Sequence, residues 1–137
     1  MNQPIHLKVK PGDIARNTIV VGDPARAELL SKLLENTRVV NVNRGFLTYT
    51  GRYKDVEVTI ATHGVGCPSA MIVFEELGLM GAKRFVRIGT AGGLIEDLKI
   101  GDIVVAAGAV YGIGGCGLNQ YMPGACAASA PHPVLTT

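Results

Sequence analysis

From Thr18 to Ile88 the apolar positions of this chain change period several times, and each change marks an element. Thr18 to Gly22 (TIVVG) is a short β-branched run that predicts a strand. Ala25 to Asn36 then sets Ala27, Leu29, Leu30, Leu33 and Leu34 on one helical stripe, with Arg26, Glu28, Lys32 and Glu35 mostly opposite. Phe46 to Tyr53 and Val56 to Thr62 (VEVTIAT), separated by Lys54 and Asp55, predict a hairpin. A second helix is expected from Pro68 or Ser69 to Met80, stopped by Gly81, and Phe85 to Ile88 and Ile103 to Ala107 complete the strands. Strand, helix, hairpin, helix, strand, strand is an α/β pattern, a mixed twisted sheet flanked by helices, within one domain of residues 1–137.

Charge changes this picture at the C-terminal side. Every Lys, Arg, Asp and Glu lies at or before Asp102, so residues 103–137 carry no formal charge apart from His132 when protonated. So apolar a stretch is expected to be covered, by a partner subunit or by further polypeptide, and the closing PHPVLTT has no stop signal. At 137 residues the chain can bury roughly two-thirds of its unfolded surface in one core. Its net charge of +2 gives little pull on nucleic acid or membrane. MNQPIHLKVK lacks the apolar core of a signal peptide, and no apolar run reaches a membrane span, so a cytoplasmic protein is expected. Cys67, Cys116 and Cys126 are odd in number and lack CxxC spacing; they read as small buried hydrophobes, with no metal site and no closed disulfide framework.

Three arginines stand in Gly-rich or turn contexts suited to an oxyanion: Arg26 in GDPAR, Arg44 in NRG and Arg87 in RIGTAGG. In the first, Asp23 is placed to cap a helix with Pro24 at its first position, so a strand runs straight into a helix N-terminus whose amides and dipole favour an anion. Arg26 adds a bidentate charge there, unless it pairs with Glu28 or Glu35 on a solvated face. Arg87, flanked by Val86 and Ile88, needs a partner if its strand is buried. Arg44 also fits an ordinary loop charge, and His6 also fits a disordered arm. His63 reads as a supporting histidine rather than a general base. Glu76 is expected to be buried on the second helix and to orient one of the arginines, with Glu75 solvated. GIGGCG (Gly112 to Gly117) fits a dinucleotide-binding glycine pattern, but Pro123, Gly124 and Pro131 break the required helix and no acid follows, so it reads as a loop.

GDPAR, NRGFLTYTG, THGVGCPSAMIVFEEL and RIGTAGG, in this order and spacing, resemble the N-terminal half of the nucleoside phosphorylases that act on purine nucleosides, uridine or methylthioadenosine. The match runs from about His6 onward and departs from the family signature at Met71, where a small residue is usual. The resemblance implies phosphorolysis: inorganic phosphate attacks the anomeric carbon of a nucleoside, giving a pentose 1-phosphate and a free base, with phosphate as co-substrate and no cofactor. It implies that Gly22, Arg26, Arg87, Gly89 and Thr90 line the phosphate, Arg26 and Arg87 serving catalysis, while Arg44 comes from a neighbouring subunit. His6 would reach across that interface to the sugar, and Val65 would border the ribose. The implied assembly is a homo-oligomer, a hexamer built as a trimer of dimers.

Relatives of this kind are longer, and their ribose-gripping glutamate and base-reading groups have no counterpart here. The expectation is a chain incomplete at its C-terminus that holds phosphate with little turnover, its base preference unread. A nucleosidase of the same superfamily, using water, and a non-catalytic assembly subunit are the rival readings; three retained arginines weigh against the former.

Overall fold

The computed structural model describes residues 3–111 and 127–136, and it divides into two compact units, Met1–Gly89 and Thr90–Thr137. In the first, β1 (Asn17–Val21), β2 (Glu35–Asn41), β3 (Thr48–Tyr53), β4 (Val56–Thr62) and β5 (Arg84–Arg87) form one sheet in the order β2-β3-β4-β1-β5. β1 lies parallel to both β4 and β5, and β3 runs antiparallel to β2 and β4. This is the mixed, helix-flanked sheet that the alternation of elements predicts.

Two helices cover opposite faces, as the period-two side-chain alternation requires. Helix α1 (Pro24–Ser31) packs Ala27 against Val21 and Ile60, with Leu30 and Leu34 around them. Helix α2 (Cys67–Leu79) packs Val73 and Leu77 against Val20 and Ala61, joined by Leu7, Val9, Ile14 and Ala82. Adjacent residues of β1 and of β4 thus feed separate cores. Helix α2 stops as its glycine predicts: Gly81 takes φ 120°, its N–H reaches the Gly78 carbonyl, and the Ala82 N–H reaches that of Leu77.

The expected α1 is too long. Leu33 and Leu34 close tight turns on Leu30 and Ser31, Asn36 adopts φ 51°, and Glu35 already begins β2. Leu29 and Leu33 are exposed rather than on the buried stripe, which runs through Ala27, Leu30 and Leu34. The hairpin lies where expected, its β3 arm beginning at Thr48, and Lys54 and Asp55 both take positive φ (45° and 66°), the two-residue turn whose twist matches the strands. Between β2 and β3 sits one 3-10 turn, Asn43–Gly45.

The second unit contains β6 (Ala109–Tyr111) paired antiparallel with β7 (Ala127–Ser129), and the single turn α3 (Pro133–Thr136). Ile103 to Ala107, expected as a strand, forms none: Ile103, Val104 and Val105 are exposed with no ladder partner among the described residues. Gly112 to Gly117 lies outside the described residues, as do Cys116 and Cys126. Cys67 is half-buried, less enclosed than its reading as a small buried hydrophobe expects.

Candidate functional site

Three neighbouring parallel strands end together. Val21 is in register with Thr62, and Val20 with Arg87, so the residues leaving β1, β4 and β5 gather at one edge of the sheet. The chain leaves β1 towards α1 on one face and β4 towards α2 on the other, so the strand carboxyl ends lie where connections diverge, the place at which open α/β sheets bind ligands.

Gly22 and the loop after β4 approach closely here. A Cβ on Gly22 would meet the Gly64 carbonyl at 3.5 Å and His63 Cε1 at 3.7 Å. The loop His63–Gly66 is shaped by glycine: Gly64 and Gly66 have φ 72° and 90°, and a Cβ on Gly64 would lie 2.9 Å from Ser69 Oγ. Ser69 Oγ in turn donates to the His63 carbonyl at 2.7 Å. Val65 projects from this loop 95% exposed. At the start of α1, Asp23 accepts the Ala25 N–H at 2.9 Å, so its carboxylate occupies one amide that the sequence reading left open to an anion. Arg26 stands half-buried in the first turn.

Arg87 closes the edge from β5. The strand is not buried: Val86 and Ile88 are about half-exposed, since β5 is the last strand of its sheet, and Arg87 itself is exposed. Its partner is nevertheless specific, because Nε donates to His63 Nε2 at 3.3 Å. Beyond it, Gly89 fits against the guanidinium, and Thr90 is the exposed first residue of the second unit. His63 is 4% exposed and lies edge-on to Phe74. Burial, followed by the Arg87 charge, lowers its pKa below the ordinary 6.5, outweighing the backbone of Gly64 and His63, which favours the protonated ring.

A second group of predicted residues forms on the same unit around Glu76. This carboxylate, buried on α2, accepts the backbone N–H of Ile5, His6 and Leu7 at 2.7–3.0 Å and the Nδ1 of His6 at 2.7 Å. It therefore orients the N-terminal arm, not one of the arginines. Burial raises the Glu76 pKa, but the amides of Leu7 and His6, the His6 ring and the Ile5 amide together bring it below the usual 4.5. Glu75 is exposed, as expected. Asn43, which the sequence reading passed over, donates to the His6 carbonyl at 2.6 Å, tying the arm to the turn that carries Arg44. Arg44 is exposed at φ 56°, a left-handed backbone that a non-glycine residue adopts at a cost of about 1 kcal/mol or more. Nothing local marks Asn43, whose partner is 37 residues away.

Among the described residues no group of His, Cys, Asp and Glu is arranged to hold a metal, and no helix is long and apolar enough to cross a membrane.

Residues 17–136 match the family model described as the phosphorylase superfamily. A uridine phosphorylase of Thermococcus kodakarensis is 39% identical over 105 residues, covering 77% of this chain and 38% of that protein. A DeoD-type purine nucleoside phosphorylase of Shewanella oneidensis is 42% identical over 106 residues, covering 76% and 45%. The crystal structure of uridine phosphorylase from Vibrio fischeri superposes with a TM-score of 0.70 at 32% identity, covering 74% of this chain and 43% of that one. The chain spans about two-fifths of the length of these relatives.

Proposed function

The chain belongs to the phosphorylase superfamily, and from that premise we propose that it carries the phosphate-holding part of a nucleoside phosphorylase site. The observation that carries this reading is the meeting of Gly22, the His63–Gly66 loop and Arg87 at the carboxyl ends of three parallel strands. A phosphate dianion attacking a sugar carbon that becomes cationic must be stripped of water and aimed. Guanidinium forks and close-approaching glycine backbone accomplish this without a general base. In this reading Arg26 and Arg87 hold inorganic phosphate with Gly22 and Gly89, and Val65 borders the ribose of a nucleoside. No further cofactor is called for.

His6 and Arg44 are the residues donated to a neighbouring copy. What supports this is that Asn43 and Glu76 fix them side by side on one surface, where Ile5 and Val42 are 72% and 69% exposed. A homodimer exchanging the two is the minimal unit, and a hexamer of such pairs is the full assembly. Light scattering at micromolar protein should return at least a dimer mass; a monomer would remove the exchange.

The reading is tested by titrating the protein with inorganic phosphate in a calorimeter and by following base release from uridine, inosine and methylthioadenosine with and without phosphate. Phosphate should bind, and Arg87→Ala should weaken it by about 1.5–3 kcal/mol, as for a lost hydrogen bond to a charged group. Equal affinity in both proteins would move the site elsewhere, and base release that is indifferent to phosphate would favour a nucleosidase.

A further inference from the structure

The exposed Arg87 has a hydrogen bond to one buried side chain, His63. We propose that His63 is a positioning residue: held as the neutral Nδ1–H tautomer, it accepts the Nε–H of Arg87 and so turns the two Nη groups of that guanidinium towards the anion. The inference rests on the phosphate-holding role of Arg87 proposed above.

The tautomer follows from the partner. A guanidinium in a protein is a permanent donor, so the ring nitrogen facing it at 3.3 Å must offer a lone pair, and the proton must sit on Nδ1. That proton stands on a buried nitrogen without a well-formed hydrogen bond, a cost that the Arg87 contact has to offset. The residue is held through its backbone and its ring. Its backbone N–H donates to the Val21 carbonyl at 2.8 Å, its carbonyl accepts from Ser69, and its ring meets Phe74 at 5.9 Å, itself packed on Phe85 at 5.5 Å. A ring packed on core aromatics can transmit its position to a long, exposed side chain. The depressed ring pKa favours the neutral imidazole.

Gly89 completes the arrangement from the other side. A Cβ there would stand 2.8 Å from Arg87 Nη1, so any side chain displaces the guanidinium. With Nε committed to His63, the N–H groups of Nη1 and Nη2 remain as the planar fork that matches two oxygens of a phosphate.

The test uses the full chain, inorganic phosphate as the titrant and three variants. His63→Leu should weaken phosphate binding about tenfold or more, in the range seen when a group that orients a binding side chain is lost. His63→Gln, whose Oε1 stands near the place of Nε2, should recover most of that loss, and Gly89→Ala should weaken binding with the fold intact by circular dichroism. Nitrogen-15 NMR of the wild-type histidines should find His63 Nε2 unprotonated and Nδ1 protonated at neutral pH; this reading stands even if His63→Leu fails to fold. Wild-type affinity in His63→Leu, equal losses in the Leu and Gln variants, or a proton on Nε2 would each overturn the positioning role while leaving the phosphate site in place. Wild-type protein that binds no phosphate would overturn the phosphate reading itself, and the proposal with it.

Discussion

Val20, Ala61, Val73 and Leu77 are wholly buried in the first unit, whereas Leu94, Ile100 and Ile103 of the second are 100%, 109% and 91% exposed. Both regions are rich in aliphatic side chains, so composition does not separate them. What separates them is partners. Each apolar face of β1 and β4 meets a helix whose stripe comes from nearby sequence, and each strand has a neighbour on both sides. The VVA run at Val104 has the β-branched composition of a strand but neither a ladder partner nor a covering face among the described residues. A strand signal in sequence reports suitability for a half-buried pleated surface; the surface has to be supplied by something else.

The sharpest way to break this contrast is a pair of truncations. Leu77→Ala should cost about 2–5 kcal/mol in urea unfolding, because it empties space between α2 and the sheet that the surroundings refill only in part. Ile103→Ala should stay within about 0.5 kcal/mol, as substitutions at exposed positions do. Comparable losses at both sites would show that the second unit has a packed core after all.

The same contrast explains what could be read from the sequence. The hairpin and α2 were legible because their signals are local: alternation on both sides of Lys54-Asp55, and an apolar run closed by Gly81. Strand β2 was not. Its sequence ENTRVVN is polar at the start, almost all of it is exposed, and its only ladder partner among the described residues is β3, so no periodic face marks it. Helix α1 was overextended for the same reason, since nothing in Leu33 to Asn36 announces that Asn36 turns left-handed. At the candidate site, the motifs gave the residue types, but Gly22, His63 and Arg87 converge through the parallel register of β4, β1 and β5, which local patterning does not encode. Glu76 was placed correctly as buried yet given the wrong partner, because its clamp on Ile5 to Leu7 spans about seventy residues.

That clamp supplies the next test. Glu76→Gln keeps the shape but removes the charge and one acceptor oxygen, leaving amides of the arm without a full partner. It should cost about 2–4 kcal/mol, typical of charge-assisted hydrogen bonds lost from a buried site. The pH dependence has a definite sign. A carboxylate whose folded pKa lies below its unfolded value of about 4.5 contributes stability that is fully present above that value and lost as pH falls through the folded one. Urea midpoints should therefore decline with acid below about pH 4.5 in the wild type, and the Gln variant should lack that part of the decline. Parallel curves for the two proteins would mean that the clamp does not hold the arm in solution.

A smaller effect separates capping in one unit from an equivalent contact in the other. Asp23→Ala removes the acceptor for the Ala25 N–H at the start of α1 and should cost about 1 kcal/mol. Asp102 accepts the Lys99 N–H at a similar 2.9 Å, but in an exposed turn that carries no helix and covers no core. Asp102→Ala should be silent in unfolding. A measurable loss there would tie the turn at Lys99–Asp102 to cooperative structure and weaken the distinction between the units.

The smallest expected effect is a gain. Lys54 and Asp55 both occupy the left-handed region, with φ 45° and 66°, because the two-residue turn between β3 and β4 needs that twist for Tyr53 to pair with Val56. Side chains resist this backbone, and a glycine does not. Glycine also makes the unfolded chain more flexible, so the relief is partly cancelled. Asp55→Gly should leave a net stabilisation of about 0.5 kcal/mol, read as a higher urea midpoint with an unchanged slope. Gly101 already holds φ 102° in the exposed turn of the second unit, and Gly101→Ala, although strained, should leave the unfolding midpoint unmoved because that turn closes no ladder among the described residues. If the glycine variant lowered the midpoint instead, the Lys54-Asp55 turn would draw stability from side-chain contacts, such as the Lys54 ammonium 5.6 Å from the Tyr53 ring, that outweigh its backbone strain.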